Sequence, residues 1–345
     1  MESYPTSFEN EETLEEALSR PTPELVKLME RLDGDLLFLG VSGKMGISMA
    51  SMAKRACQQA GVEKRIIGVS RFSDAANRDY LEGLGIETIA GDLLDQEFLS
   101  PLPDCENVVY LAGTKFGTQG NEAYTWAMNA YLPGLIMERF KSARMVALST
   151  GCVYPLVNTA SGGSLETDEV GPVGEYAQSC LGRERMFEFG SKEHDTPVVL
   201  IRLNYAVEMR YGVLADIATK VWEEEAIDVT MGHANVIWQG DANALILRAF
   251  DLCRSPARHL NVTGPETLSI RSVAEQFGQL LGKEPKIVRE EAPSALLSNA
   301  SNLFKELGRP SVSIEQVMEW TARWIRDGGR QLGKPTHFEV RDGQY

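Results

Sequence analysis

Short, unbroken apolar runs recur along the chain, each bounded by polar or glycine-rich segments. They are DLLFLGV (35–41), RIIGVS (65–70), IETIA (86–90), NVVYLAG (107–113), MVALST (145–150) and PVVLIRL (197–203). None alternates apolar with polar, which is the pattern of strands buried on both faces. Helical periodicity fills the gaps, near 45–60, 74–84, 120–141 and 175–191. Repeated β-α units of this kind predict an α/β fold with a doubly wound parallel sheet and helices on both of its faces.

The ends of the chain read differently. Thr22, Pro23 and Glu24 form an N-cap followed by proline at the first helical position, opening a helix that runs to Leu32. Beyond residue 205 the regularity weakens. Helices are expected at 213–225, 241–254, 271–282, 299–307 and 313–327, with short strands at 259–264 and 285–290. This divides the chain into an acidic N-terminal helical extension (1–34), a dinucleotide-sized sheet domain (35–204) and a smaller, mostly helical lobe (205–345). Part of the sheet is able to return after residue 230. The glycine-rich tail after Gly328 reads as a surface strap, and Trp320 and Trp324 as core packing on one helix face.

Charge narrows the function. Asp and Glu total 49 against 34 Lys and Arg, a net charge of −15. So acidic a surface repels a phosphate backbone, so no nucleic-acid partner is expected. A small anionic ligand remains possible, because local cations and backbone N–H groups can hold one. The glutamate-rich start opposes a signal or transit peptide, and no run approaches the roughly 18 apolar residues of a membrane span. Five cysteines without CxxC spacing indicate neither a disulfide framework nor a metal site. A cytoplasmic protein is the expectation.

The sharpest local signal is LFLGVSGKMG, where Gly40, Gly43 and Gly46 follow the first strand and open a helix. Glycine suits a tight turn, a close approach to pyrophosphate and tight helix–strand packing, while the helix N-terminus offers free N–H groups to phosphate. This is the Rossmann-type dinucleotide arrangement, with Lys44 and Met45 inside the loop. The second strand ends in Ser70 and Arg71 rather than a carboxylate. A hydroxyl and a cation suit a 2′-phosphate, which places NADP ahead of NAD. Asp92 and Leu93, after the third strand, either meet the adenine or serve a turn.

These motifs continue in order through VVYLAG, Asn129 in WAMNAYLPG, LSTGCVY, EYAQSCLGRE, IRLN and WQGDANALILRA. Taken together the chain resembles the extended short-chain dehydrogenase/reductase family, the NAD(P)-dependent nucleotide-sugar epimerases and dehydratases. The resemblance implies Tyr176 as general acid and base, Thr150 as the residue that orients the substrate oxygen, and Ala112, Gly113, Asn129 and Tyr176 beside the cofactor. It implies substrate contacts from Ser149, Tyr154 and Asn204. Lys115 would meet a substrate carboxylate or phosphate, while His233 and Arg210 fall where the family's lobe grips a pyrophosphate. A sugar or sugar nucleotide is the expected substrate, and a homodimer a possible assembly.

Two departures matter chemically. The family places a Lys four residues after the Tyr to lower its pKa, and here that position is Cys180. Arg183 and Arg185 follow further along; Arg183 is about 10 Å from Tyr176 by helix rise, and neither replaces the Lys directly. The family's dehydratases carry Asp and Glu after the Ser-Thr pair, where this chain has Gly151 and Cys152. Elimination by that route lacks its acid and base. Cys152 reads as a packed thiol rather than a nucleophile. The alternative to an enzyme is a non-catalytic NADP-binding sensor or regulatory protein.

Overall fold

The computed structural model describes residues 4–115 and 117–343. Seven strands form one wholly parallel sheet: β1 (Leu36–Leu39), β2 (Ile66–Ser70), β3 (Glu87–Ala90), β4 (Asn107–Tyr110), β5 (Arg144–Thr150), β6 (Val198–Leu203) and β7 (Arg258–Val262). Their spatial order is β3-β2-β1-β4-β5-β6-β7, with every neighbouring pair parallel. The order reverses at β1 and β4, which opens a ligand crevice at the carboxyl ends of those strands.

The unbroken apolar runs are explained by the two cores they feed. In β1, Leu36 and Phe38 enter one cluster, while Leu37 and Leu39 enter the cluster on the opposite face. Helices follow the expected places: α1 (Glu11–Leu18), α2 (Pro23–Arg31), α3 (Gly46–Ala60), α4 (Ala75–Gly83), α5 (Glu122–Trp126), α6 (Leu132–Arg139), α7 (Gly174–His194), α8 (Val213–Trp222), α9 (Gln239–Arg248), α10 (Ile270–Leu281), α11 (Ser301–Leu307) and α12 (Ile314–Arg326). Between α5 and α6 the chain makes one π-helical turn, Ala127–Tyr131, that carries Asn129.

Three segments lie where a linear division of the sequence would not put them. The acidic leader is not a detached extension: Phe8, Leu14, Ala17 and Leu18 pack with α8, α10 and α12 in the core of the smaller lobe. Trp320 Nε1 donates to the Pro5 carbonyl, and Glu11 and Glu15 bind Arg210. Conversely β7 and α9, late in the sequence, belong to the sheet and its covering layer. The tail is a strap with an anchored interior, since Thr336 and Phe338 are buried. Among the described residues no helix is long and apolar enough to cross a membrane.

Candidate active site

The glycine loop sits where β1 meets α3. Gly40 adopts φ +88°, and a Cβ there would lie 2.7 Å from the Ala112 nitrogen of the neighbouring strand end. A Cβ on Gly46 would lie 2.2 Å from the Val41 carbonyl oxygen, so the first turn of α3 can close on the loop only at glycine. Met45, at the N-cap, provides no side-chain cap. The Gly46 N–H donates to the Gly43 carbonyl at 3.0 Å, and the next N–H groups of this 15-residue helix, those of Ile47 and Ser48, are left to a ligand. Ser42 Oγ in the same loop is buried without a partner among the described residues. An orphaned hydroxyl, a glycine cradle and an uncapped helix start fit a dinucleotide pyrophosphate.

The loop opens on a cleft of about 250 Å³ between sheet and lobe. One wall is β5 and α7: Thr150, Cys152 and Tyr176. Thr150 Oγ accepts from the Cys152 N–H at 3.1 Å, capping the short turn Gly151–Val153, which leaves its own O–H proton for an incoming oxygen. The Tyr176 ring packs beside the Cys180 thiol, one turn further along α7. Burial raises the Tyr176 pKa well above that of a free phenol; the neighbouring Cys180 and Cys152 add to this, and Arg183 opposes it. The phenol is therefore a proton donor in the resting site.

The facing wall comes from the end of β6 with Asn204, from the lobe with Tyr205, Ala206, Tyr211 and Gly212, and from the strap with Thr336. Asn204 is 3% exposed and its Nδ2 has no partner among the described residues, so an amide donor is held ready in the cleft. Lys44 reaches across from the glycine loop, donates to the Ala206 carbonyl at 2.9 Å and lies 3.6 Å from the Tyr211 ring centroid. Burial pulls its pKa down to about 7, partly offset by Glu208. Lys115 donates to the Thr336 carbonyl at 3.1 Å, and burial lowers its pKa too. Thr336 in turn donates through N and Oγ1 to Asp216 Oδ2. Among the described residues that line the cleft, no carboxylate appears.

Ser149 also lines the cleft, and its hydroxyl donates to the buried Glu184 Oε1 at 2.6 Å. Other sequence candidates are placed elsewhere. Tyr154 is 2% exposed, with its hydroxyl between Asn261 and Arg202, and it does not line the cleft. Glu184 and Arg202 form a buried pair at 2.8 Å. Asn129 is fully enclosed; its amide clamps Thr114 through N and O and accepts from Arg183. It is the buried residue of the π turn. Arg210 is occupied by Glu208, Glu11 and Glu15. Asp92 Oδ1 accepts from the Leu94 N–H, and Leu93 is a core residue, which is the turn reading. Ser70 closes β2, and Arg71 reaches the Tyr124 hydroxyl at 3.3 Å on the surface beside it.

Sequence reasoning missed Tyr205, Tyr211 and Thr336, which carry no motif. It set aside Arg183, although that residue follows Tyr176 and Cys180 at helical spacing.

A family model described as the NAD dependent epimerase/dehydratase family matches residues 36–235, more than half of the chain. The chain belongs to that family. The match to this epimerase/dehydratase family begins at β1, takes in the glycine cradle just described and ends inside the lobe at residue 235. No curated protein sequence matches significantly. Solved structures share its fold at low identity. A dTDP-glucose 4,6-dehydratase from Bacillus anthracis in complex with NAD superimposes with TM-score 0.72 at 17% identity, covering 85% of this chain and 97% of that one. A UDP-glucuronic acid 4-epimerase from Bacillus cereus, also with NAD, gives 0.72 at 17%, covering 85% and 99%. The dTDP-glucose 4,6-dehydratase DesIV from Streptomyces venezuelae gives 0.74 at 16%, covering 85% and 97%. At these identities the likeness is one of fold.

Proposed function

We propose that the protein is an NAD(P)-dependent oxidoreductase or epimerase acting on a hydroxyl or carbonyl carbon of a sugar or sugar nucleotide. The observation that carries this reading is the convergence of Tyr176, Thr150 and the glycine cradle on one cleft. Gly40, Gly43, Lys44, Met45 and Gly46 would hold the pyrophosphate, with Ala112 and Gly113 at the end of β4 beside the cofactor. Bound there, the nicotinamide supplies hydride transfer. Thr150 orients the reacting oxygen. Tyr176 gives it a proton in the reducing direction and takes one in the oxidising direction.

NADP is the favoured cofactor, since Arg71 and Ser70 stand where a carboxylate would read an unmodified ribose. Two lysines and, among the described residues, no carboxylate in the cleft favour a substrate bearing a negative charge near Lys115. A UDP-glucuronic acid 4-epimerase, whose sugar carries a carboxylate, is among the proteins of similar fold. Dehydration by paired carboxylates is disfavoured by Gly151 and Cys152.

The test is to incubate the purified protein and either cofactor with nucleotide hexoses and uronic acids. Nicotinamide absorbance and product chromatography are followed. Conversion that needs Tyr176 supports the reading; no conversion of any sugar overturns it. A second reading, a dinucleotide-binding sensor, is favoured by the thiol at Cys180, and it predicts binding without turnover.

Self-association is the proposed assembly. Trp126, Tyr131, Met186 and Phe189 are exposed apolar side chains on the adjoining helices that run from α5 to α7. Sedimentation of the wild type as a dimer, and of Phe189→Glu as a monomer, would support it; a monomeric wild type would refute it.

A further inference from the structure

A buried phenol beside two thiols is a poor base, and the position from which the family supplies a cation holds Cys180. We propose that Arg183 supplies that positive charge from behind the wall of the cleft, and is the electrostatic positioning residue for Tyr176. The proposal rests on Tyr176 as proton carrier and names how its charge is managed.

Residues 176, 180 and 183 follow one stripe of α7. Arg183 is tied to the turn that carries Tyr176 through Asn129: the guanidinium donates to Asn129 Oδ1, Asn129 Nδ2 donates to Ser179 Oγ at 3.0 Å, and Ser179 Oγ donates to the Tyr176 carbonyl at 2.8 Å. Arg183 is only 6% exposed. Its Nη2 donates to Asn129 Oδ1 at 2.6 Å and its Nη1 to the Leu148 carbonyl at 2.9 Å, while Nε has no partner among the described residues.

No salt bridge joins Arg183 to a carboxylate among the described residues. Glu184, next to it in sequence, is engaged by Arg202 and Ser149 instead. The guanidinium is thus enclosed, hydrogen-bonded to two carbonyl oxygens, with the Tyr110 ring centroid 5.9 Å from its central carbon and Glu184 in its field. A bare cation in so little water costs stability, and its field reaches nearby groups with little screening. The groups facing it are Tyr110 on β4 and Tyr176, Cys180 and Glu184 on α7; Cys152 lies beside Tyr176. Gly113 makes room, since a Cβ there would lie 2.3 Å from Arg183 Nη2. A small neutral thiol at 180 fits this arrangement, because a lysine there would set a second cation beside the first.

The experiment replaces Tyr176 with a fluorinated tyrosine, intrinsically more acidic, and follows its ionisation by fluorine NMR. This is done with the parent, Arg183→Met and Arg183→Lys backgrounds. The expected result is a midpoint raised by about one pH unit or more in Arg183→Met, a roughly tenfold change in acidity, and one close to the parent in Arg183→Lys. The acid limb of kcat/KM, with NADP and the converted sugar, should move by the same amount. Cys180→Lys should restore the midpoint in the Arg183→Met background and gain nothing in the parent. If Arg183→Met does not fold, Arg183→Gln is titrated in its place.

A folded Arg183→Met or Arg183→Gln protein with an unmoved midpoint overturns the proposal, even where turnover persists and needs Tyr176. A moved midpoint in a protein without turnover keeps it, and rejects the catalytic reading alone.

Discussion

Gly113 and Arg183 fit one another as backbone and side chain: the missing Cβ of Gly113 is the space taken by Arg183 Nη2, 2.3 Å away. Gly113 ends the fourth strand run and Arg183 lies two turns into α7, and Asn129, on the π turn, is bonded to the guanidinium. Gly113→Ala should push the guanidinium off Asn129. We expect a stability loss of about 1–3 kcal/mol, the usual size for overpacking, read by denaturant melts. Turnover should fall by more than any change in KM, because the displaced charge acts on Tyr176 rather than on substrate binding. An alanine variant with parental stability and kcat would show that the fit is not needed.

Cofactor choice tests the end of β2. Arg71→Ala should weaken NADPH by about 1.5–3 kcal/mol, the worth of a charged hydrogen bond, and leave NADH nearly unchanged. Titration calorimetry with both cofactors measures it. Equal affinity of the parent for the two would remove the argument from Ser70 and Arg71.

Lys44 gives the site a pH dependence. Its pKa is drawn down to about 7, chiefly by burial, so its charge is present below neutrality and fades above it. Binding of an anionic ligand beside it should weaken between about pH 6 and pH 8, and Lys44→Met should flatten that slope while lowering affinity at acidic pH. A bound anion favours the protonated amine, so the slope should be accompanied by proton uptake. Calorimetry in buffers of different ionisation enthalpy reads that uptake. No proton uptake, or a slope that survives Lys44→Met, would assign the titration to another group.

The sheet was legible because both its faces are buried, which writes each strand as an unbroken apolar run with a turn at its end. The glycine loop was legible because Gly40 and Gly46 answer local clashes, with Ala112 and Val41. What escaped depends on partners far along the chain. Tyr154 sits near the expected site in sequence, but Asn261 and Arg202 take its hydroxyl, and Ser149, which does line the cleft, gives its hydroxyl to Glu184. The leader's place in the lobe is set by Trp238 and Trp320, which enclose Phe8. Thr336 reaches the cleft only because Asp216 holds the strap. Arg183 was readable in principle from its spacing to Tyr176, but its tie to that turn runs through Asn129, far earlier in the chain.

The most direct measurement is turnover of the nucleotide sugar that the protein converts, comparing wild type with Tyr176→Phe. Removing only the hydroxyl leaves ring packing and cofactor affinity in place, while the proton has no carrier. The account predicts NADPH binding within about twofold of wild type and a kcat reduced by a factor of about 10² to 10⁴, the usual worth of a general acid–base group. Undiminished turnover in Tyr176→Phe would contradict it.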